Sequence, residues 1–135
     1  MKRHVATLCI FAFYAVSAEK SQAASLKHCD GMSNAERGHC IADESKGLEL
    51  EMVTAYRMAD ARMLDYEARN IPGAGKLHDP LQASQVAFES FRDKQCGFVA
   101  DLYMGGTGSA VGHYLCRIHL TEERTDFLKQ IAGIK

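Results

Sequence analysis

The chain has 135 residues, with 16 Lys and Arg against 17 Asp and Glu and a formal charge of −1. That balance excludes the basic stripe with interleaved aromatics that nucleic-acid binding needs. The length suits one domain with a single modest core.

Lys2, Arg3 and His4 lead into an apolar run from Val5 to Val16, the order of a secretory signal. The run is too short to cross a bilayer and no second one follows, so no membrane span is expected. Small residues at Val16-Ser17-Ala18 place a signal peptide at residues 1–18, and Ser21-Gln22-Ala23 allows cleavage as late as residue 24. Cys9 follows Leu8 where lipid attachment would want a small residue, which reads against a lipid anchor. Cleavage takes away Lys2 and Arg3 and no acid, leaving 14 basic against 17 acidic residues, a charge of −3 that suits a basic partner. The expected product is a periplasmic or secreted single domain over residues 25–135, with four cysteines: Cys29, Cys40, Cys96 and Cys116.

Helical composition dominates what remains, with only two prolines in the whole chain. Ser33-Asn34-Ala35-Glu36 has the Ser-x-x-Glu form of a capping box and predicts a helix start. Leu48, Met52, Ala55, Tyr56, Ala59, Met63 and Tyr66 recur in steps of three and four as one helical stripe. Gly47 leaves open whether this is one bent helix or two. Asn70-Ile71-Pro72-Gly73 ends it, and Asp79-Pro80 starts the next helix with Asp79 as N-cap. Leu81, Phe88, Phe91, Phe98 and Leu102 are expected to carry the apolar face of that helix, up to the loop Gly105-Gly106-Thr107-Gly108-Ser109. A third segment from about Ala110 to His119, with Ser109 as its cap, and a fourth from Thr121 as cap to about Ile131 complete the count. The expectation is an all-α fold, a small antiparallel helical bundle of two long and two shorter helices stapled by two disulfides.

Within the second long helix, Gln85, Phe88, Arg92 and Cys96 share one face. If that face is inward, Gln85 and Arg92 must be hydrogen-bonded, because unpaired polar burial is costly. This stretch, with the glycine loop, Cys116 and Leu120-Thr121-Glu122-Glu123-Arg124 followed by Leu128, resembles the LprI-type lysozyme-inhibitor N-terminal domain family. The resemblance runs from about Leu81 to Leu128, with Phe88 where the family often has Trp. It implies a small exported bacterial helical protein with paired cysteines, and structural roles for Gln85, Phe88, Arg92, Asp93, Thr121 and Arg124. Lysozyme inhibition belongs to only some relatives, so function carries over less directly than fold. Arg124 is expected to bridge back to the second helix, at Asp93.

Four cysteines allow three pairings. Cys29–Cys40 with Cys96–Cys116 is preferred because each bond closes a short segment, the second clamping the glycine loop. A competing reading is metal, since His28-Cys29, His39-Cys40 and His113, Cys116, His119 offer zinc-type ligands. Exported cysteines are more often oxidised, and neither a metal nor any other cofactor is expected. Catalysis finds no support, and a non-enzyme is expected. With paired cysteines there is no free thiol nucleophile, and the loop ending at Ser109 has neither the context of a nucleophile elbow nor the lysine of a phosphate loop.

The leading expectation is a cell-envelope binding protein that inhibits or sequesters a lysozyme-type wall hydrolase, through Gly105, Gly106, Thr107 and Ser109 with nearby His113 and Tyr114. The alternative is a structural or accessory periplasmic protein-interaction module without effect on lysozyme, using Met52, Met58, Met63 and Tyr56 as an adaptable apolar surface. The sequence leaves the oligomeric state open.

Overall fold

The computed structural model describes residues 23–72 and 75–134. The secretory signal, its first cleavage point and Cys9 therefore lie outside the described residues, as does Gly73 of the turn. A short 3-10 helix, Ala23–Cys29, precedes three α-helices: α1 (Asn34–Ala68), α2 (His78–Asp101) and α3 (Ser109–Ala132). Among the described residues the fold is all-helical, with three α-helices rather than the four expected.

The miscount lies at Thr121. Its hydroxyl is almost wholly buried and accepts from Arg92 Nη1 at 2.9 Å, so it faces α2 instead of capping a new helix. No proline or glycine interrupts the chain between Gly112 and Gly133, and α3 runs straight through. Glu122 and Glu123 accordingly sit in mid-helix and not in a first turn. Ser109 does not cap α3 either, since Gly108 holds that position and the Ser109 hydroxyl donates to the Ala100 carbonyl at 3.1 Å.

At the other boundaries local chemistry and tertiary contacts share the work. The Ser33 box is formed, with Ser33 N donating to Glu36 Oε2 at 3.0 Å and Glu36 N donating back to Ser33 Oγ at 3.4 Å. Helix α1 continues through the exposed Gly47 as a single 35-residue helix, about 50 Å long at 1.5 Å per residue. Helix α2 starts at His78, one residue before the expected cap Asp79. Its orphan amides are met by Glu67 across the turn, whose Oε1 accepts from Leu77 N at 2.6 Å and His78 N at 2.7 Å. The hydrogen bond from His78 N, joined by a weaker one from Leu77 N, outweighs burial and holds the Glu67 carboxyl below its ordinary value.

Helix α3 is the central element. It runs parallel to α1, with Ala110 near Gly38 at one end and Gly133 against Arg62 at the other. It runs antiparallel to α2, with Ser109 beside Ala100 and Arg124 beside Gln85. Two small apolar cores result. Cys29, Ile41 and Ile118 form one, with Leu26, Leu48, Val111 and Tyr114 packed on it. Met52, Ala55, Ala59, Leu81 and Leu128 form the other, with Tyr56, Met63 and Phe88 at its edge. The α1 stripe read from the sequence thus faces inward, and of the residues offered as an adaptable surface only Met58 is exposed.

The inward stripe of α2 is Leu81, Gln85, Phe88, Arg92 and Cys96, again in steps of three and four. Phe91, Phe98 and Leu102 lie off that stripe and are 53%, 58% and 60% exposed, so the aromatic face expected to be core is largely at the surface.

Candidate functional site

Between the two cores lies a polar layer in which all three helices meet. Glu49 on α1, Arg92 and Asp93 on α2, and Arg117 and Thr121 on α3 form one network. Arg117 Nε donates to Glu49 Oε1 at 3.1 Å and its Nη1 to Asp93 Oδ1 at 2.6 Å. Arg92 Nη2 lies 3.6 Å from the same Glu49 oxygen, while its Nε is buried without a hydrogen bond, 3.8 Å from Asp93. Burial, and next the neighbouring Arg117, pulls the Arg92 guanidinium below its ordinary value. Burial pulls Arg117 down, but the hydrogen bonds it donates to Glu49 and Asp93 outweigh this and hold it above its ordinary value.

Two turns back along α2, Gln85 is buried and doubly engaged. Its Oε1 accepts from Arg124 Nε at 3.0 Å and its Nε2 donates to Glu89 Oε1 at 3.0 Å. The Phe88 ring lies between two guanidinium groups, 5.6 Å from Arg92 and 5.4 Å from Arg124. Gln85, Phe88, Arg92, Thr121 and Arg124 are therefore one seam along α2 and α3, continued by Asp93 through Arg117. The bridge expected between Arg124 and Asp93 is not made. Arg124 instead reaches Gln85 and Ser84, the latter at 3.1 Å, and Asp93 takes Arg117. Within this seam the buried Gln85, Arg92 and Thr121 side chains find their hydrogen-bond partners inside the helix pair.

The seam ends at the Cys96–Cys116 disulfide, whose Cα atoms are 5.5 Å apart, and beyond it α2 turns into α3. His113 Nδ1 donates to the Cys96 carbonyl at 3.1 Å, and its ring meets Tyr114 edge to face at 5.2 Å. Tyr103 folds its ring back onto α3. A Cβ at Gly112 would sit 2.4 Å from Tyr103 Cε2, and one at Gly108 would sit 2.9 Å from Tyr103 Cδ1, so a side chain at either position would displace the ring. Met104 then projects from the tip, 94% exposed and with φ +48°, ahead of Gly105 at φ +76°. Left-handed backbone is ordinary for glycine but strained for methionine.

Beside this tip the start of α1 and the start of α3 enclose a groove of about 410 Å³, lined by Asn34, Ala35, Gly38, His39, Ala42, Thr107, Ala110 and Tyr114. Asn34 Nδ2 donates to Thr107 Oγ1 at 3.4 Å, tying the loop to the α1 N-terminus. Thr107 and Tyr114 line the groove, Gly105 and Gly106 are exposed at the tip, and Ser109 and His113 point their polar atoms back at α2.

The LprI family model, described as lysozyme inhibitor LprI, matches residues 27–128. The chain belongs to this family. The match takes in Cys29, all three helix starts, the seam and the loop, and stops at Leu128 of the second core. No curated protein and no solved structure matches the chain. No helix among the described residues is long and apolar enough to cross a membrane.

Glu49, Arg117, Tyr103 and Met104 were not singled out in the sequence. The first two look like ordinary charges on helix surfaces, and only the fold brings them to one layer. For Tyr103-Met104 a signal existed: two large side chains directly before a Gly-Gly pair.

Proposed function

We propose that this LprI-family protein is an exported, non-enzymatic binding protein of the cell envelope that inhibits or sequesters a lysozyme-type wall hydrolase, with the α2–α3 loop as its contact element. The supporting observation is the tip itself. A large apolar side chain, Met104, is held almost fully exposed in a strained backbone conformation, on a loop fastened by Cys96–Cys116 and by the Tyr103 ring. Strain of this kind persists where the surroundings over-determine it, and a loop ordered in advance loses less entropy on binding.

Gly105, Gly106, Thr107 and Ser109 give the loop its shape, while Tyr114 and the adjoining groove offer an apolar floor with His113 behind it. Two disulfides fit an oxidising compartment, in keeping with export to the periplasm or beyond. The acidic balance favours encounter with a basic hydrolase. The test is turnover of a wall substrate by lysozyme at low salt, titrated with the oxidised protein. Dose-dependent loss of turnover is expected, weakened at least tenfold by Met104→Asp. Unchanged turnover at large molar excess would refute the proposal.

A further inference from the structure

The start of α1, on the other side of α3 from α2, carries a second group of reactive side chains. Cys29, last residue of the 3-10 helix, is bonded to Cys40 of α1, with Cα atoms 5.8 Å apart. His28 is beside them, its Nε2 3.4 Å from Cys29 Sγ and 3.3 Å from Glu44 Oε1. The ligand atoms of His28, Cys29 and Cys40 all lie within 4.8 Å of one another. Glu44 stands one helical turn beyond Cys40 and meets the His28 ring, just outside that three-residue cluster.

We infer that, once the Cys29–Cys40 disulfide is reduced, His28, Cys29, Cys40 and Glu44 form a four-ligand site for zinc or a similar thiophilic divalent cation. The distances already present carry the inference. A tetrahedral zinc ion with metal–sulfur bonds of about 2.3 Å and metal–nitrogen or –oxygen bonds of about 2.0–2.1 Å separates neighbouring ligand atoms by roughly 3.4–3.8 Å. The imidazole nitrogen stands at about that separation from both a sulfur and a carboxylate oxygen. The two sulfurs must part from their bond by under about 2 Å and the Glu44 carboxylate must swing from His28 toward them, both of which side-chain rotation can provide.

The oxidised pair is a poor ligand, because thiolate and not disulfide sulfur binds zinc. Metal and disulfide therefore exclude each other. A dithiol reductant delivers two electrons and two protons to the disulfide and is itself oxidised to a disulfide. The cation then displaces both thiol protons to solvent. Cys29 is fully buried but Cys40 is partly open, which gives an incoming thiolate a sulfur to attack. The site would keep the N-terminal segment fastened to α1 under conditions that remove its covalent staple.

The full chain, reduced with a water-soluble phosphine that competes little for metal, is titrated with Co²⁺ as a visible reporter and then with Zn²⁺ to displace it, while circular dichroism follows the helices. One equivalent of Co²⁺ with thiolate-to-metal absorption is expected. His28→Ala and Glu44→Ala should each weaken binding at least tenfold. A Cys29→Ser/Cys40→Ser double variant should abolish it, and Cys96→Ser/Cys116→Ser should leave it in place. Tight binding by the oxidised protein, indifference to His28 and Glu44, or helices that collapse on reduction with and without metal would each overturn the inference.

Discussion

In the α2–α3 seam Arg92 is 5% exposed and Thr121 1%, and each answers the other across the helix pair. About three helical turns away, past the Cys96–Cys116 bond, the same two helices are joined by a loop whose Met104 side chain stands in solvent. The seam holds the residues that make the sequence resemble its family. The loop holds the exposed Met104 proposed as the contact. Much of the family signature in this fold is thus a record of how α2 is set on α3, and the loop proposed as the contact element is fastened to that frame.

The contrast can be broken most directly at Arg92. Arg92→Ala should cost about 3 kcal/mol in chemical denaturation, since it opens a cavity and strands the buried Thr121 hydroxyl. A loss under about 1 kcal/mol would mean that Arg117 alone satisfies Glu49 and Asp93. Gly112→Ala should cost about 2 kcal/mol, because its methyl group collides with the Tyr103 ring. Combining it with Tyr103→Ala should recover part of that loss, a non-additivity that additive behaviour of the pair would contradict. At the tip the sign reverses. Met104→Asn should raise stability by about 0.5 kcal/mol, because asparagine tolerates positive φ, while weakening inhibition at least tenfold. Equal inhibition by this variant would separate the strain at Met104 from function.

The smallest effect is expected at the turn farthest from the loop. The Glu67 carboxyl titrates below its ordinary value in the folded chain, so its contribution is present above that value and is lost as the pH falls through it toward the folded one. Thermal melts between about pH 6 and pH 3 should therefore show a shallower decline for Glu67→Gln than for the parent. Parallel curves would show that Glu67 does not carry the capping of α2.

Much of the fold was legible because local and global signals agreed. The Ser33 box, the Met52-Ala55-Ala59 stripe and the all-helical composition each led to what the structure contains. The number of helices was not legible, since a threonine reads as a cap wherever its hydroxyl is imagined free. Only the position of Arg92 across the seam shows that this one is occupied. The same limit hid Glu49 and Arg117, whose partners lie on other helices, and reversed Phe91 and Phe98. Those two rings are apolar enough for a core but lie off the stripe that α3 covers. Gln85 and Arg92 were readable as a network from burial arguments alone, although their partners were not.

Each disulfide joins a cysteine to the next one along the described chain, across 11 and 20 residues. In an unfolded chain short loops close more often than long ones. During oxidation the native partners are therefore also the statistically nearest, and each bond can form before the long-range docking of α1 on α3 has begun. The covalent framework can be laid down without the tertiary structure as its template, and a chain emerging from its N-terminus can complete one staple before the residues of the other have appeared.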